Sequence, residues 1–121
     1  MRWREFDAAV LSRIPPERLV SDPDLRLAHG TDASFYRLVP ERIVRLDSLE
    51  EVRFVLAVCR ALKLPCTFRA AGTSLSGQAL SDSVLITLTD GWRGHRILDG
   101  GDRIALQPGV IGADANRYLA P

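Results

Sequence analysis

The sequence predicts an α+β fold whose first part is α/β-like: a βαβ unit in a small mixed sheet flanked by helices. Three observations carry this. Apolar residues recur at helical spacing over residues 3–14 and again over 48–62. Short β-branched runs at 42–46, 66–70 and 84–88 interleave with those helices. Pro15-Pro16 and Pro65 close the two helical patterns, so the chain must change direction where each ends.

The elements follow in order. Trp3, Phe6, Val10, Leu11 and Ile14 share one face of a first helix over 3–14. Residues 17–35 are polar, hold Asp22-Pro23-Asp24 and Gly30-Thr31-Asp32, and read as loop with one short helical turn. Residues 1–35 are therefore a helix and lead-in. Tyr36-Arg37-Leu38-Val39 and residues 42–46 form a candidate strand pair broken by Pro40. Ser48 followed by Glu51 is a capping-box spacing and opens the clearest helix, with Val52, Val55, Leu56, Cys59 and Leu62 on one stripe. Residues 66–70 are the next strand. Strand, helix, proline, strand makes a βαβ unit with parallel strands. Residues 84–88 form a further strand, and 90–94 a turn. Residues 96–98 and 103–106 flank Asp99-Gly100-Gly101-Asp102 as a hairpin. Pro108-Gly109 breaks the chain, and a last helix runs from Ile111 to Leu119.

Composition excludes several classes. The 121 residues are 46% apolar and 26% charged, outside the range of disordered, collagen-like and coiled-coil chains. Sixteen basic residues against fifteen acidic ones leave a net charge of +1. Residues 1–60 carry ten of each, and 61–121 carry six basic and five acidic, so no patch selects nucleic acid. All basic residues but Lys63 are arginine, which codon composition explains more simply than a polyanion partner. No apolar run reaches the about 18 residues a membrane helix needs, and no apolar stretch follows the charged N-terminus as in a signal peptide. Cys59 and Cys66 form neither a disulfide framework nor a metal spacing; they read as reduced, buried thiols of a cytoplasmic chain.

The segment that carries chemistry is Arg69-Ala70-Ala71-Gly72-Thr73-Ser74-Leu75-Ser76-Gly77-Gln78-Ala79. Two glycines open left-handed backbone conformations, no proline removes an N–H, and small side chains let a ligand approach the main chain. Such a loop after a strand turns successive N–H groups toward one point and makes an anion nest, the natural guest being a phosphate or pyrophosphate. A plain glycine turn is the bland alternative. Gly72 and Gly77 have the spacing of a nucleotide P-loop, but Gln78-Ala79 stand where its lysine and hydroxyl belong. The dinucleotide pattern G-x-G-x-x-G is absent.

Residues 69–79 resemble the flavin-pyrophosphate loop of the PCMH-type FAD-linked oxidases, a family with vanillyl-alcohol oxidases, D-lactate dehydrogenases and glycolate oxidase flavin subunits. Its usual form is R-G-A-G-T-S-L-x-G-Q, and Ala70 stands in place of the first glycine. Leu49-Glu50-Glu51-Val52 with Leu64-Pro65 is similar to the family's first βαβ unit. Gln107-Pro108-Gly109-Val110 with Asn116-Arg117 is similar to its second flavin-contacting turn. Thr31-Asp32-Ala33-Ser34-Phe35-Tyr36 resembles a subgroup fused to an iron–sulfur region.

The resemblance implies a truncated PCMH-type FAD-binding fold in which residues 36–121 are the incomplete first part of the FAD-binding domain. FAD would be bound non-covalently, since no histidine stands in the loop. The N–H groups of Ala71, Gly72, Thr73, Ser74, Leu75, Ser76 and Gly77 would hold its pyrophosphate, helped by the Thr73, Ser74 and Ser76 hydroxyls. Arg69 either neutralises phosphate charge or points outward; Ala70 and Gln78 flank the loop. Pro108, Gly109 and Val110 would lie near the flavin or its ribityl chain. The implied activity is oxidation of a 2-hydroxy acid (D-lactate, glycolate or 2-hydroxyglutarate in kind) by hydride transfer to FAD. The substrate site, the electron acceptor and any iron–sulfur cluster would lie outside these residues. The chain then reads as an N-terminal fragment, inactive alone and prone to pair with itself as a homodimer through uncovered edges. Cytoplasmic location follows, with peripheral membrane association of the full-length protein open. The alternative from another class is a non-catalytic α/β phosphate- or nucleotide-binding module, and a third is an interaction domain with an empty loop. FAD needs both the 72–77 loop and residues 107–110 on one cleft; a phosphate module needs only the first.

Other candidates have duller readings. His29 and His95 are isolated and read as surface or turn residues. Asp82, Asp90, Asp99 and Asp102 fall at turns. Trp3 reads as helix packing, while Trp92 is open between packing and stacking on the flavin.

Overall fold

The computed structural model describes residues 1–121. Helix α1 (Arg2–Leu11) buries Phe6 and Val10. A 3₁₀ turn (Pro16–Arg18) leads to a two-residue strand β1 (Leu19–Val20) and a short helix α2 (Pro23–Ala28). Asp22 caps α2, its Oδ1 accepting the Asp24 and Leu25 N–H groups at 3.0 and 3.1 Å. Strand β2 (Arg42–Leu46), helix α3 (Leu49–Ala61) and strand β3 (Cys66–Phe68) form the βαβ unit. Strand β4 (Val84–Leu88), the hairpin β5 (His95–Leu98) and β6 (Arg103–Leu106), and helix α4 (Gly112–Leu119) complete the chain.

The main sheet has the order β1-β2-β4-β3. β2 and β3 are parallel, as the βαβ pattern requires, but β4 lies between them and pairs in parallel with both. All five residues of β2 are in register with β4, from Arg42 opposite Val84 to Leu46 opposite Leu88. β5 and β6 make a separate antiparallel pair. The architecture is the expected α+β arrangement, a small mixed sheet with helices against it.

The core explains the sheet. Val44, Leu46, Val84 and Ile86 share one face and meet Phe6, Val10 and Ile14 from the first helical segment with Val55 and Cys59 from α3. β4 sits centrally, and its Val84, Leu85 and Ile86 are fully buried. A run this apolar is what a strand flanked on both edges and both faces requires. Trp3 packs edge-on to Phe6 at 5.8 Å, the helix-packing role expected of it.

Four local expectations are corrected. Residues 36–39 are not a strand. β2 has β1 on one edge and β4 on the other, so no edge is left for them, and the Pro40 carbonyl accepts from Arg26 Nε at 2.6 Å. Helix α1 stops at Leu11, three residues before Ile14, and β3 stops at Phe68 rather than Ala70. Cys59 is buried and desolvation pushes its thiol up to about 12, but Cys66 is only half-buried. No helix is long and apolar enough to cross a membrane.

Candidate functional site

Parallel strands deliver their following loops to one edge of a sheet, and ligands of open α/β sheets gather outside that carboxyl edge. Here the loop after β3 is 69–79 and the turn after β4 is 89–94. The Arg69 N–H donates to the Ile86 carbonyl at 2.8 Å, one last ladder bond before the chain leaves the sheet.

Beyond that bond the main-chain N–H groups have few partners. Among the backbone N–H groups of residues 70–78, only that of Ser76 has an acceptor within the chain, Gln78 Oε1 at 3.1 Å. Gly72 and Gly77 have φ of +70° and +82°, the left-handed region that a side chain disfavours. Neighbouring side chains crowd both positions as well. A Cβ at position 72 would fall 2.6 Å from Arg69 Nε, and one at 77 would fall 3.1 Å from the Tyr36 ring. Such a run of unpaired, closely approachable N–H groups can stabilise an anion.

The second turn reaches the same place by a different route. Trp92 donates its indole N–H to the Leu46 carbonyl at 2.8 Å. Its own carbonyl accepts the Gly109 N–H at 2.8 Å, so close that a Cβ at 109 would press into it. Gln107 fixes the approach: its N–H donates to the Gly94 carbonyl at 2.9 Å and its Oε1 accepts the Gly94 N–H at 2.8 Å. Residues 108–112 are thereby laid against the ends of β3 and β4.

The result is a cleft of about 600 Å³. Ala70, Ala71 and Thr73 of the first loop and Pro108, Gly109 and Val110 of the second turn both line it, with Asp90 and Arg93 from the turn after β4. Gly72, Ser74 and Gln78 line a smaller adjoining recess of about 230 Å³. Leu75, Ser76 and Gly77 line neither, and the Leu75 side chain is exposed. Arg69 turns away from the large cleft, its Nη1 donating to the carbonyls of Thr31 and His29 at 2.8 and 3.3 Å. Trp92 lines an apolar recess with Phe68, Leu88 and Pro108 beside the cleft.

Two residues of the 31–36 motif shape the loop, a role the sequence did not assign them. Asp32 accepts the Ser74 hydroxyl at 2.6 Å and the Ser34 N–H at 2.8 Å. Side-chain hydrogen bonds from Ser34 first and Ser74 second, with the Ser34 N–H a smaller contribution, hold its carboxyl down at about 2. Tyr36 lies against Gly77. The Asp32-x-Ser34 spacing of an Asx turn was the available signal, though nothing local in it points forty residues ahead. The histidines take quiet roles: His29 Nδ1 is 2.9 Å from the Leu25 carbonyl, and His95 stacks on Tyr118 at 3.8 Å.

Residues 40–121 match the family model described as FAD binding domain. The glycolate oxidase subunit GlcD of Escherichia coli K12 is 39% identical over 93 residues, 73% of this chain and 18% of that protein. The D-2-hydroxyglutarate dehydrogenase of the same strain is 29% identical over 102 residues, 79% of this chain and 10% of that protein. The chain thus spans under a fifth of the length of these relatives. Among solved structures, p-cresol methylhydroxylase with substrate bound superimposes at a TM-score of 0.80 and 14% identity, over 98% of this chain and 24% of that one. Alkyldihydroxyacetonephosphate synthase gives 0.75 at 18% identity, over 96% of this chain and 24% of that one. At such identities these two establish the fold, and the family match establishes FAD as the cofactor. The chain belongs to the FAD binding domain family.

Proposed function

We propose that residues 36–121 are the first part of the FAD-binding domain of a flavin-dependent oxidoreductase that oxidises a 2-hydroxy acid, with residues 1–35 as its lead-in. The observation that carries the reading is that both turns line one cleft of about 600 Å³, Ala70, Ala71 and Thr73 from the first and Pro108, Gly109 and Val110 from the second. A simple phosphate module needs only the first turn, so the shared lining favours FAD over that alternative.

The chain's own groups fit the cofactor. The unpaired N–H groups of Ala71, Gly72, Thr73 and Ser74 supply donors for a pyrophosphate, and Thr73 adds a hydroxyl. Pro108, Gly109 and Val110 supply a wall without charge for the remainder of the cofactor. No histidine stands within 69–79, which supports non-covalent attachment. Bound there, FAD supplies the hydride acceptor for oxidation at the α-carbon of the hydroxy acid. The substrate class is supported by the names of the two curated relatives, a glycolate oxidase subunit and a D-2-hydroxyglutarate dehydrogenase.

FAD titration followed by flavin fluorescence and calorimetry tests the reading, with Gly72→Val and Gly77→Val beside the parent chain. Valine at a left-handed position costs on the order of 1–3 kcal/mol, so each variant should weaken FAD about tenfold or more while the far-ultraviolet dichroism is kept. Unchanged FAD affinity in both variants removes the loop from the site. Binding of inorganic phosphate without binding of FAD transfers the site to the phosphate-module reading.

A further inference from the structure

Residues 29–38 form a closed strap across the glycine loop. The Leu38 N–H donates to the Gly30 carbonyl at 3.2 Å, and Thr31 bridges to Arg37 inside that closure. Three contacts tie the strap down. Arg69 reaches the Thr31 and His29 carbonyls, the Tyr36 ring lies on Gly77, and Asp32 takes the Ser74 hydroxyl at 2.6 Å.

The third contact decides what Ser74 can do. A serine hydroxyl has one proton to donate. That of Ser74 goes to Asp32, while its oxygen accepts the Ala79 N–H at 3.2 Å. Ser74 therefore links the strap, the middle of the loop and the loop's exit, and its hydroxyl proton is not free for a phosphate oxygen. Asp32 is also a negative charge set beside a loop read as an anion site. By Coulomb's law alone it weakens pyrophosphate binding. By ordering the loop beforehand it strengthens binding, because less conformational freedom is lost when the ligand arrives.

We propose that the ordering outweighs the repulsion: Asp32 is a positioning residue that pre-forms the 69–79 loop through Ser74. The proposal rests on the reading of that loop as the FAD site, and it predicts a sign opposite to the electrostatic one.

The test is a double-mutant cycle on FAD affinity with the parent chain, Asp32→Ala, Ser74→Ala and the double variant, joined to amide hydrogen exchange measured without FAD. Asp32→Ala should weaken FAD about tenfold although it removes a negative charge. Ser74→Ala should do the same, and the double variant should be no weaker than either single one, since each removes one shared link. Exchange at Ala79 and Ser76, whose N–H groups have acceptors at the loop, should quicken in all three, with exchange in β2 and β4 unchanged. An Asp32→Ala chain that binds FAD as tightly as the parent, or more tightly, overturns the proposal. So do additive losses in the double variant. A parent chain that binds no FAD sinks the flavin reading instead, and the exchange arm then decides: unchanged exchange at Ala79 in Asp32→Ala overturns the strap's ordering role.

Discussion

Residues 6–87 and residues 89–121 are held in place by different forces. Every buried residue of the chain lies in the first region, including all ten members of the core cluster. The second region has none. Ile97 of β5 is 44% exposed and Ile111 before α4 is 63% exposed. What fixes the second region is a short relay of directed bonds: Trp92 to Leu46, Gly109 to Trp92, and Gln107 to Gly94 on both sides. The candidate cleft lies on the seam, with one wall on the packed sheet and the other on the hydrogen-bonded turn. Regions with few buried contacts open at lower free energy than cores do. The 108–110 wall should therefore adjust to a ligand more readily than the 70–73 wall.

The largest effect that sharpens this contrast is a pair of truncations. Ile86 is fully buried in β4 and Ile97 is half-exposed in β5. Ile86→Ala should cost about 2–4 kcal/mol in urea denaturation, and Ile97→Ala about 1 kcal/mol or less. Equal losses would mean that the hairpin shares the core's stability, and the contrast would fail.

A smaller effect tests the relay itself. Trp92→Phe keeps the ring and deletes the indole N–H. The Leu46 carbonyl keeps its other donor, the Thr89 N–H at 3.1 Å, so no buried acceptor is orphaned. The expected loss is about 1 kcal/mol, the net worth of one hydrogen bond. Hydrogen exchange at Gly109 should rise while that of β4 stays fixed. If β4 exchange rises equally, Trp92 is part of the core and not a tether.

What the sequence made legible follows the same division. The interior elements were readable because burial writes itself into local pattern. The stripe on α3, the continuous apolar run of β4 and the Asp99–Asp102 turn each sit within a few residues of where the periodicity puts them. Long-range choices left no such trace. Residues 36–39 have strand composition but lost their edge to Leu19 and Val20, a strand too short to register in any window. Placing β4 between β2 and β3 depends on matching three strands at once. The glycine loop was legible as a loop, with positive φ at both expected glycines. The strap over it was not, since Asp32 and Ser74 lie 42 residues apart. Arg69 and Trp92 were open by sequence for the same reason: each is oriented by carbonyls distant in the chain.

The smallest effect concerns how the first region is tied together, and here the capping box turned out differently from its usual form. Ser48 Oγ accepts the Glu51 N–H at 3.3 Å, as expected. Glu51, however, reaches past Ser48 to the Asp47 N–H at 2.7 Å and takes Arg18 in a two-pronged pair at 2.7 and 2.8 Å. One carboxylate thus caps α3 and pins the turn before β1. The Arg18 hydrogen bond is the main cause of a carboxyl pKa below its ordinary 4.5, with burial opposing it. Below that value the unfolded chain binds the proton more readily than the folded one. The pair's contribution is therefore complete above about pH 4.5 and is lost as pH falls through the lower folded value. Thermal unfolding of the parent chain should accordingly weaken in acid more steeply than that of Glu51→Gln, which has no proton to take up. The difference should be on the order of 1 kcal/mol, because both partners keep some contact with water. It should appear in the exchange of α3 and β1 amides and leave the β5–β6 hairpin untouched. Parallel acid profiles for the two proteins would show that Arg18 holds the turn through the Arg45 carbonyl instead, to which its Nη1 also donates at 3.2 Å.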